Sequence, residues 1–159
     1  MDESQRKKEA LRKKSLGELG ELFGLKALVD EKYDRVRNLN DKKMNFPFAD
    51  VFGIKDDEKQ VISIKARNKY QVNGKLNSSY NLGDHCYDKA KRAEEEYGAK
   101  AYWMAIQFDE QTYSVYLGSL EELNGRKAIP LNECERGEVG KCLVKDKRHF
   151  FDFSFFANK

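Results

Sequence analysis

The residues with chemistry to offer sit in two neighbouring runs. In Phe46-Pro47-Phe48-Ala49-Asp50-Val51-Phe52 a single carboxylate interrupts an apolar stretch, and in Gln60-Val61-Ile62-Ser63-Ile64-Lys65-Ala66 a lysine follows two isoleucines. In a strand, side chains alternate between faces, so Ser63 and Lys65 share one face and Ile62, Ile64 and Ala66 the other. The apolar set must face a core or a packed helix. Ser63 and Lys65 then project to the opposite side, beside Asp50 if the two runs pair as a hairpin. An acid and a lysine on adjacent strands serve equally as a structural ion pair or as the start of a reactive site.

The stretch that follows adds a second kind of chemistry. From Lys59 to Gly83 there are five bases (Lys59, Lys65, Arg67, Lys69, Lys75) and no acid; at the chain's overall frequency about four acids are expected in such a window. Asn68, Tyr70, Asn73, Asn77, Ser78, Ser79 and Tyr80 are interleaved with them. Bases neutralise phosphates, and amides, hydroxyls and aromatic faces position backbone and nucleobases. A solvated loop that merely avoids acids is the plainer reading of the same residues.

Elements can be drawn around these runs. Ser15 with Glu18 fits a capping box, and Leu16, Leu19, Leu22, Phe23, Leu25 and Leu28 recur at helical spacing, predicting a helix over 16–31. Gly17, Gly20 and Gly24 fall inside it. Each costs about 1 kcal/mol relative to alanine there, which close approach to another backbone or a ligand would explain. Strands are expected at 33–39, 46–54 and 60–66, the last two joined by a polar turn at 55–59. Asp84 opens a second helix, with Cys86, Ala90, Ala93 and Tyr97 as its apolar stripe and Gly98 just past its end. Strands at 101–108 and 112–117 follow, then a short turn capped by Ser119 and Glu122. The order, helix, three strands, helix, two strands, implies a sheet covered by helices.

This arrangement resembles a known family. Gly17-x-x-Gly20-Glu21-x-x-Gly24-x-x-x-Leu28, a lone Asp50 at a strand, and Ser63-Ile64-Lys65-Ala66-Arg67 are similar to the motifs of the PD-(D/E)XK, or restriction-endonuclease-like, superfamily, especially its small resolvase-like and type IV restriction-like branches. The likeness runs over residues 15–117. It implies an α/β fold, a mixed sheet flanked by helices in the order α-β-β-β-α-β-β with a C-terminal extension. It also implies a metal-dependent DNA endonuclease that hydrolyses phosphodiester bonds with Mg²⁺ or Mn²⁺. On that likeness Asp50 is the central metal ligand, and Glu21 binds or orients a water. The Ile64 carbonyl and Ser63 complete the ligand set, and Lys65 holds the attacking water or offsets charge on the transition state. Arg67, Asn68, Lys69, Tyr70 and Lys75 are the nucleic-acid contacts. Glu18, one turn from Glu21, competes for the helix role.

Two departures from the family pattern matter. Ala49 stands where proline often precedes the aspartate. Ser63 stands where Glu, Asp or Gln is usual, so the site lacks one formal charge. A carboxylate from elsewhere substitutes, or metal binds only with DNA, or the chain is an inactive nuclease-fold module that binds nucleic acid without cutting it.

Length and composition bound the rest. The 159 residues, 40% hydrophobic and 36% charged, suit one domain with an ordinary core, with 1–14 as a basic segment and 15–159 as a nuclease-like unit extended after 117. The first fourteen residues carry six bases against three acids, as a solvated helix start or as an arm on nucleic acid. No apolar run has the roughly 18 residues of a membrane span, and nothing resembles a secretory signal. Three scattered cysteines (Cys86, Cys134, Cys142) suggest free thiols and a cytoplasmic protein and make no zinc site. The isolated His85 and His149 read as surface residues, and Trp103 as core. Five of the ten phenylalanines lie in the last ten residues, and alternation of Phe151, Phe153 and Phe155 predicts a half-buried strand or a homodimer surface. DNA is the expected partner, with RNA as the other candidate.

Overall fold

A computed structural model describes residues 2–39 and 48–148 of the chain. Phe46, Pro47, His149 and the alternating Phe151, Phe153 and Phe155 lie outside them.

The first element, α1 (Glu3–Asp30), is a single helix of 28 residues. Its start differs from the sequence expectation. Asp2 caps it, accepting from the Gln5 N–H at 2.8 Å while the Gln5 side chain accepts from the Asp2 N–H at 3.0 Å. Ser15 and Glu18 are interior positions. Residues 3–14 contain no Gly or Pro and are rich in Lys, Arg, Glu, Gln and Ala, all strong helix formers, so the helix propagates back to the first good cap. The described side chains of the first half of α1, Arg6, Lys7, Lys8 and Lys14 among them, are almost all exposed.

A hairpin and its neighbour follow: β1 (Asp34–Asn38), β2 (Val51–Lys55) and β3 (Glu58–Asn68). Asp56 and Asp57 make the β2–β3 turn with φ of 49° and 66°. Two left-handed residues match the twist of a tight hairpin. Then come β4 (Ser79–Asn81), α2 (Cys86–Tyr97), β5 (Lys100–Asp109) and β6 (Thr112–Ser119). A 3₁₀ turn (Leu120–Leu123), β7 (Ala128–Pro130), α3 (Leu131–Glu135) and β8 (Lys141–Arg148) complete the chain. Asp84 caps nothing; His85, left-handed at φ 57°, precedes α2 instead, and Gly98 ends it, also left-handed. Ser119 makes no capping bond, and Glu122 accepts from the Gly140 N–H at 2.8 Å.

Six strands form one sheet in the order β1-β2-β3-β5-β6-β8, antiparallel except for the central β3–β5 pair, while β4 and β7 form a separate two-stranded ribbon. The sheet is covered on both sides. On one, Leu16, Ala27 and Leu28 of α1 pack with Ile62, Ile64, Ala66, Met104 and Ile106. On the other, Cys86, Ala90 and Ala93 of α2 pack with Val61, Trp103 and Ala105, joined by Tyr80, Ile129 and Leu131 from the ribbon and α3. Trp103 is fully buried, and its Nε1–H donates to the Ser119 carbonyl at 3.0 Å. All three cysteines are free, and among the described residues no helix is long and apolar enough to cross a membrane.

The helix glycines divide by position. A methyl built at Gly20 would overlap the Ala66 Cβ, and one at Gly24 would come within 2.7 Å of Ile64 and 3.0 Å of the Met104 sulfur. These two let α1 lie directly on β3 and β5. Gly17 meets nothing within 4 Å, and no packing explains it.

Candidate active site

Asp50 is placed by the sheet on both sides. Its carbonyl accepts from the Leu39 N–H at 2.9 Å, and its N–H donates to the Ile62 carbonyl at 2.9 Å. The β2–β3 ladder ends at the Val51–Ile62 pair, and Phe48 turns the chain away with φ 71°. Beyond that pair β3 runs on beside β5 with no strand on its other edge among the described residues, and the Ile64 N–H needs an acceptor. The Asp50 side chain supplies it: Oδ2 accepts from Ile64 N at 2.7 Å. A charged acceptor on a backbone donor is a strong, geometrically defining bond. It aims the carboxylate at the open edge of β3, one residue before Lys65.

Glu21 comes from α1 to the end of β1, at Asn38. Gly20 sits against Ala66, which brings the next residue over the end of β1. Glu21 is half-buried, and its Oε2 accepts from Asn38 Nδ2 at 3.3 Å. Asn38 is the register partner of Val51, the neighbour of Asp50. Glu18 is exposed, so Glu21 is the helix acid held beside the strands. Asn38 was not foreseen: an Asn ending a short strand carries no signal until the helix packs over it.

Ser63 and Lys65 leave β3 on the α2 side, alternating with Ile62 and Ile64, which face α1. Lys65 is half-buried, and Ser63 is only 2% exposed. Glu21 thus comes from one face, Lys65 from the other, and Asp50 lies at the edge between them. Among the described residues no three of His, Cys, Asp and Glu gather as a metal cage. Two carboxylates remain, which suits a hard cation such as Mg²⁺ that keeps waters and takes further oxygens from substrate phosphate. An aspartate already accepting one N–H retains lone pairs for a metal.

The basic stretch is a built structure. Lys69 N–H donates to the Phe108 carbonyl and Asn77 N–H to the Lys69 carbonyl, both at 2.8 Å, and Tyr70 bridges Leu76. Asn77 Nδ2 holds the Asn68 carbonyl at 2.8 Å, and the Asn73 side chain accepts from the Lys75 N–H at 3.0 Å. The result is a small ribbon beyond the end of β3 that presents Tyr70, 48% exposed, and Lys75 outward. Lys69 lies 5.7 Å from the Tyr70 ring, and Arg67 is exposed, with its Nη1 on the Ala66 carbonyl at 2.8 Å. At about 3.3 Å per residue, Asn68 is about 13 Å along the strand from Ile64. His85 is exposed at the start of α2.

No family model and no curated protein matches the chain. Solved structures do. One is a Holliday junction resolvase, Hjc, from the archaeal hyperthermophile Archaeoglobus fulgidus, at 14% identity and a TM-score of 0.52, with 75% of this chain and 92% of that one covered. The fold is restriction-endonuclease-like. In this chain's sheet, β8 lies beside β6 at the far side from β1.

Proposed function

We propose that the chain is a metal-dependent DNA endonuclease, and one observation carries the reading. The Asp50 carboxylate is locked on Ile64 N–H at the open edge of β3, with Glu21 tied to Asn38 on one side and Lys65 next in sequence. Asp50 and Glu21 would hold Mg²⁺ or Mn²⁺, with the Ile64 carbonyl and the Ser63 hydroxyl as neutral oxygens. A bound cation lowers the pKa of a water and shields phosphate charge. The chain's own residues do the rest. Lys65 Nζ donates to the attacking water and to the non-bridging oxygens as charge develops. Glu21 Oε1 and Oε2 accept from that water and orient it. Arg67, Lys69 and Lys75 neutralise flanking phosphates, and Asn68 and Tyr70 position the strand. Residues 15–159 then serve as the nuclease-like unit, with the basic first half of α1 as an added contact; a homodimer and a cytoplasmic location belong to the same proposal, and RNA is the alternative substrate to DNA. The test is nicking or cleavage of DNA with Mg²⁺ or Mn²⁺. Activity that disappears in Asp50→Asn and Lys65→Ala supports the assignment, and unchanged cleavage by both folded variants removes it.

Ser63 favours a second reading, a nuclease-fold module that binds nucleic acid without cutting. A buried hydroxyl in place of an acid leaves the metal set one charge short. That reading expects steeply salt-dependent binding, no cleavage with any divalent ion, and weaker binding after Arg67→Ala or Lys69→Ala. Ser63→Glu separates the two by gained metal affinity, at a stability cost because the new carboxylate enters a buried position.

A further inference from the structure

The ribbon beyond β3 carries a feature that phosphate binding alone does not use. Three of the six large apolar side chains exposed among the described residues fall within seven positions of it: Tyr70 at 48%, Val72 at 71% and Leu76 at 39%. Tyr70 and Leu76 are bridge partners, so their side chains share one face of the ribbon, and Val72 continues that alternation toward the tip. The Gln71 N–H donates to the Lys75 carbonyl at 2.7 Å, which sets Gln71 and Lys75 opposite each other on the other face. The tip is held in shape. The Gly74 N–H donates to the Gln71 carbonyl at 2.9 Å, and Gly74 takes φ 80°, where glycine is favoured. A ribbon fixed in this way loses little further freedom when it binds.

An apolar face on a nucleic-acid contact calls for an apolar group on the nucleic acid. The major groove of B-DNA, about 12 Å wide, admits a two-stranded ribbon, and the thymine C5-methyl is the apolar group that its base edges present. Charge favours this occupant over a second copy of the chain. The stretch from Lys59 to Gly83 has no acid, and Arg67, Lys69 and Lys75 flank the apolar face, so two such ribbons brought together would repel. Asp109 and Glu110 line a cleft of about 170 Å³ with Tyr70 and Val72. Those carboxylates oppose phosphates on that side, so the bases hold the backbone and the apolar face meets base edges.

We propose that the ribbon enters the major groove of the bound duplex and lays Tyr70, Val72 and Leu76 on thymine methyls. The inference rests on the nucleic-acid reading above and adds a specificity element to it. It selects DNA over RNA, which lacks that methyl and whose A-form major groove is too narrow for side chains to read. It also favours thymine near the cut. At about 3.3 Å per residue Val72 lies up to about 26 Å along from Ile64, and a turn of duplex spans about 34 Å. The groove it reads is therefore within one turn of the Asp50 site.

The test is fluorescence anisotropy of the full chain at fixed ionic strength, without divalent ions. Three labelled probes of one sequence are compared: a DNA duplex, the same duplex with every thymine replaced by deoxyuridine, and an RNA duplex. Each buried methyl is worth about fourfold in affinity, so the uracil duplex should bind at least fourfold more weakly than the thymine duplex, and the RNA no better than the uracil duplex. Val72→Ser combined with Leu76→Ser, both at exposed positions, should erase the difference between thymine and uracil and leave the fold intact. Equal affinity for the two DNA duplexes, or a difference that survives the double substitution, overturns the proposal. So does a dimer, seen by sedimentation, that the double substitution dissociates, because the face then belongs to a second copy. Metal-dependent DNA cleavage with no thymine preference sinks the ribbon's role and leaves the endonuclease reading standing. Thymine-selective binding with no cleavage does the reverse, and no DNA binding even at low salt removes both.

Discussion

Adding one methyl to α1 should have opposite consequences at two glycines three residues apart. In a helix interior alanine is better than glycine by about 1 kcal/mol. Gly17 has open space around its Cα, so Gly17→Ala should stabilise the protein by about that amount. Gly20→Ala gains the same propensity, but its methyl overlaps the Ala66 Cβ, which is fixed to the backbone of β3 where it pairs with Ile106 of β5 and cannot swing away. Overpacking of this kind costs about 1–3 kcal/mol. The net effect at Gly20 is then between neutral and about 2 kcal/mol destabilising. The propensity gain is common to both variants, so the difference between them, about 1–3 kcal/mol, measures the clash alone. Urea denaturation gives both values. Ala66→Gly removes the opposing methyl, so in a double-mutant cycle it should recover about 0.5–3 kcal/mol of the Gly20→Ala loss. Relief of the clash by lifting α1 also shifts Glu21 from Asn38, and a displacement of about 1 Å at a reacting site can lower turnover about 10²-fold. Equal stabilisation by Gly17→Ala and Gly20→Ala, with no coupling to Ala66, would refute the docking of α1 on β3 and with it the placement of Glu21.

Asp50→Ala should leave the Ile64 N–H without its acceptor and lower stability by about 1–3 kcal/mol, whereas Asp50→Asn keeps a carbonyl there and should unfold near the wild-type midpoint in the same urea experiment. Alkaline pH should destabilise the fold. Burial raises the Tyr33 and Tyr116 phenols from 10.0 to about 12, so the folded state holds those protons more tightly than the unfolded chain. Their contribution is complete below pH 10 and is lost as pH rises toward 12; a melting temperature that does not fall over that window, followed with an ultraviolet titration of tyrosinate, would contradict it. Replacing Arg67, Lys69 or Lys75 singly by alanine should reduce the slope of log K against log salt for DNA binding by about 1 each, read by fluorescence anisotropy; an unchanged slope places the phosphates elsewhere.

Much of the positioning framework was legible because it is local or periodic. The α2 stripe and its Gly98 terminator, a polar turn before β3 (shorter than the expected 55–59), the alternation that sends Lys65 away from Ile64, and buried Trp103 all follow from spacings within one element. The glycine run foretold a close approach, correct for Gly20 and Gly24 and unsupported at Gly17. What escaped reading depends on contacts between distant segments. Asn38 acquires meaning only when Glu21 lies above it, and β4 is three residues long because β7, some fifty positions later, supplies its partner. β8, the outermost strand among the described residues, is mostly exposed and charged, without the alternation that marks a half-buried one. The start of α1 was misplaced because Ser15 and Glu18 have the right types for a cap. Helical propensity through residues 3–14 gives the chain no reason to begin there.

Manganese binding in the presence of DNA, followed by electron paramagnetic resonance at fixed ionic strength, bears most directly on the proposed site at Asp50 and Glu21. Asp50→Asn and Glu21→Gln should each weaken Mn²⁺ binding by at least tenfold, while Glu18→Gln, one helical turn away and exposed, should leave it unchanged. Binding that survives both substitutions, or that is lost in Glu18→Gln instead, would place the cation somewhere other than the open edge of β3.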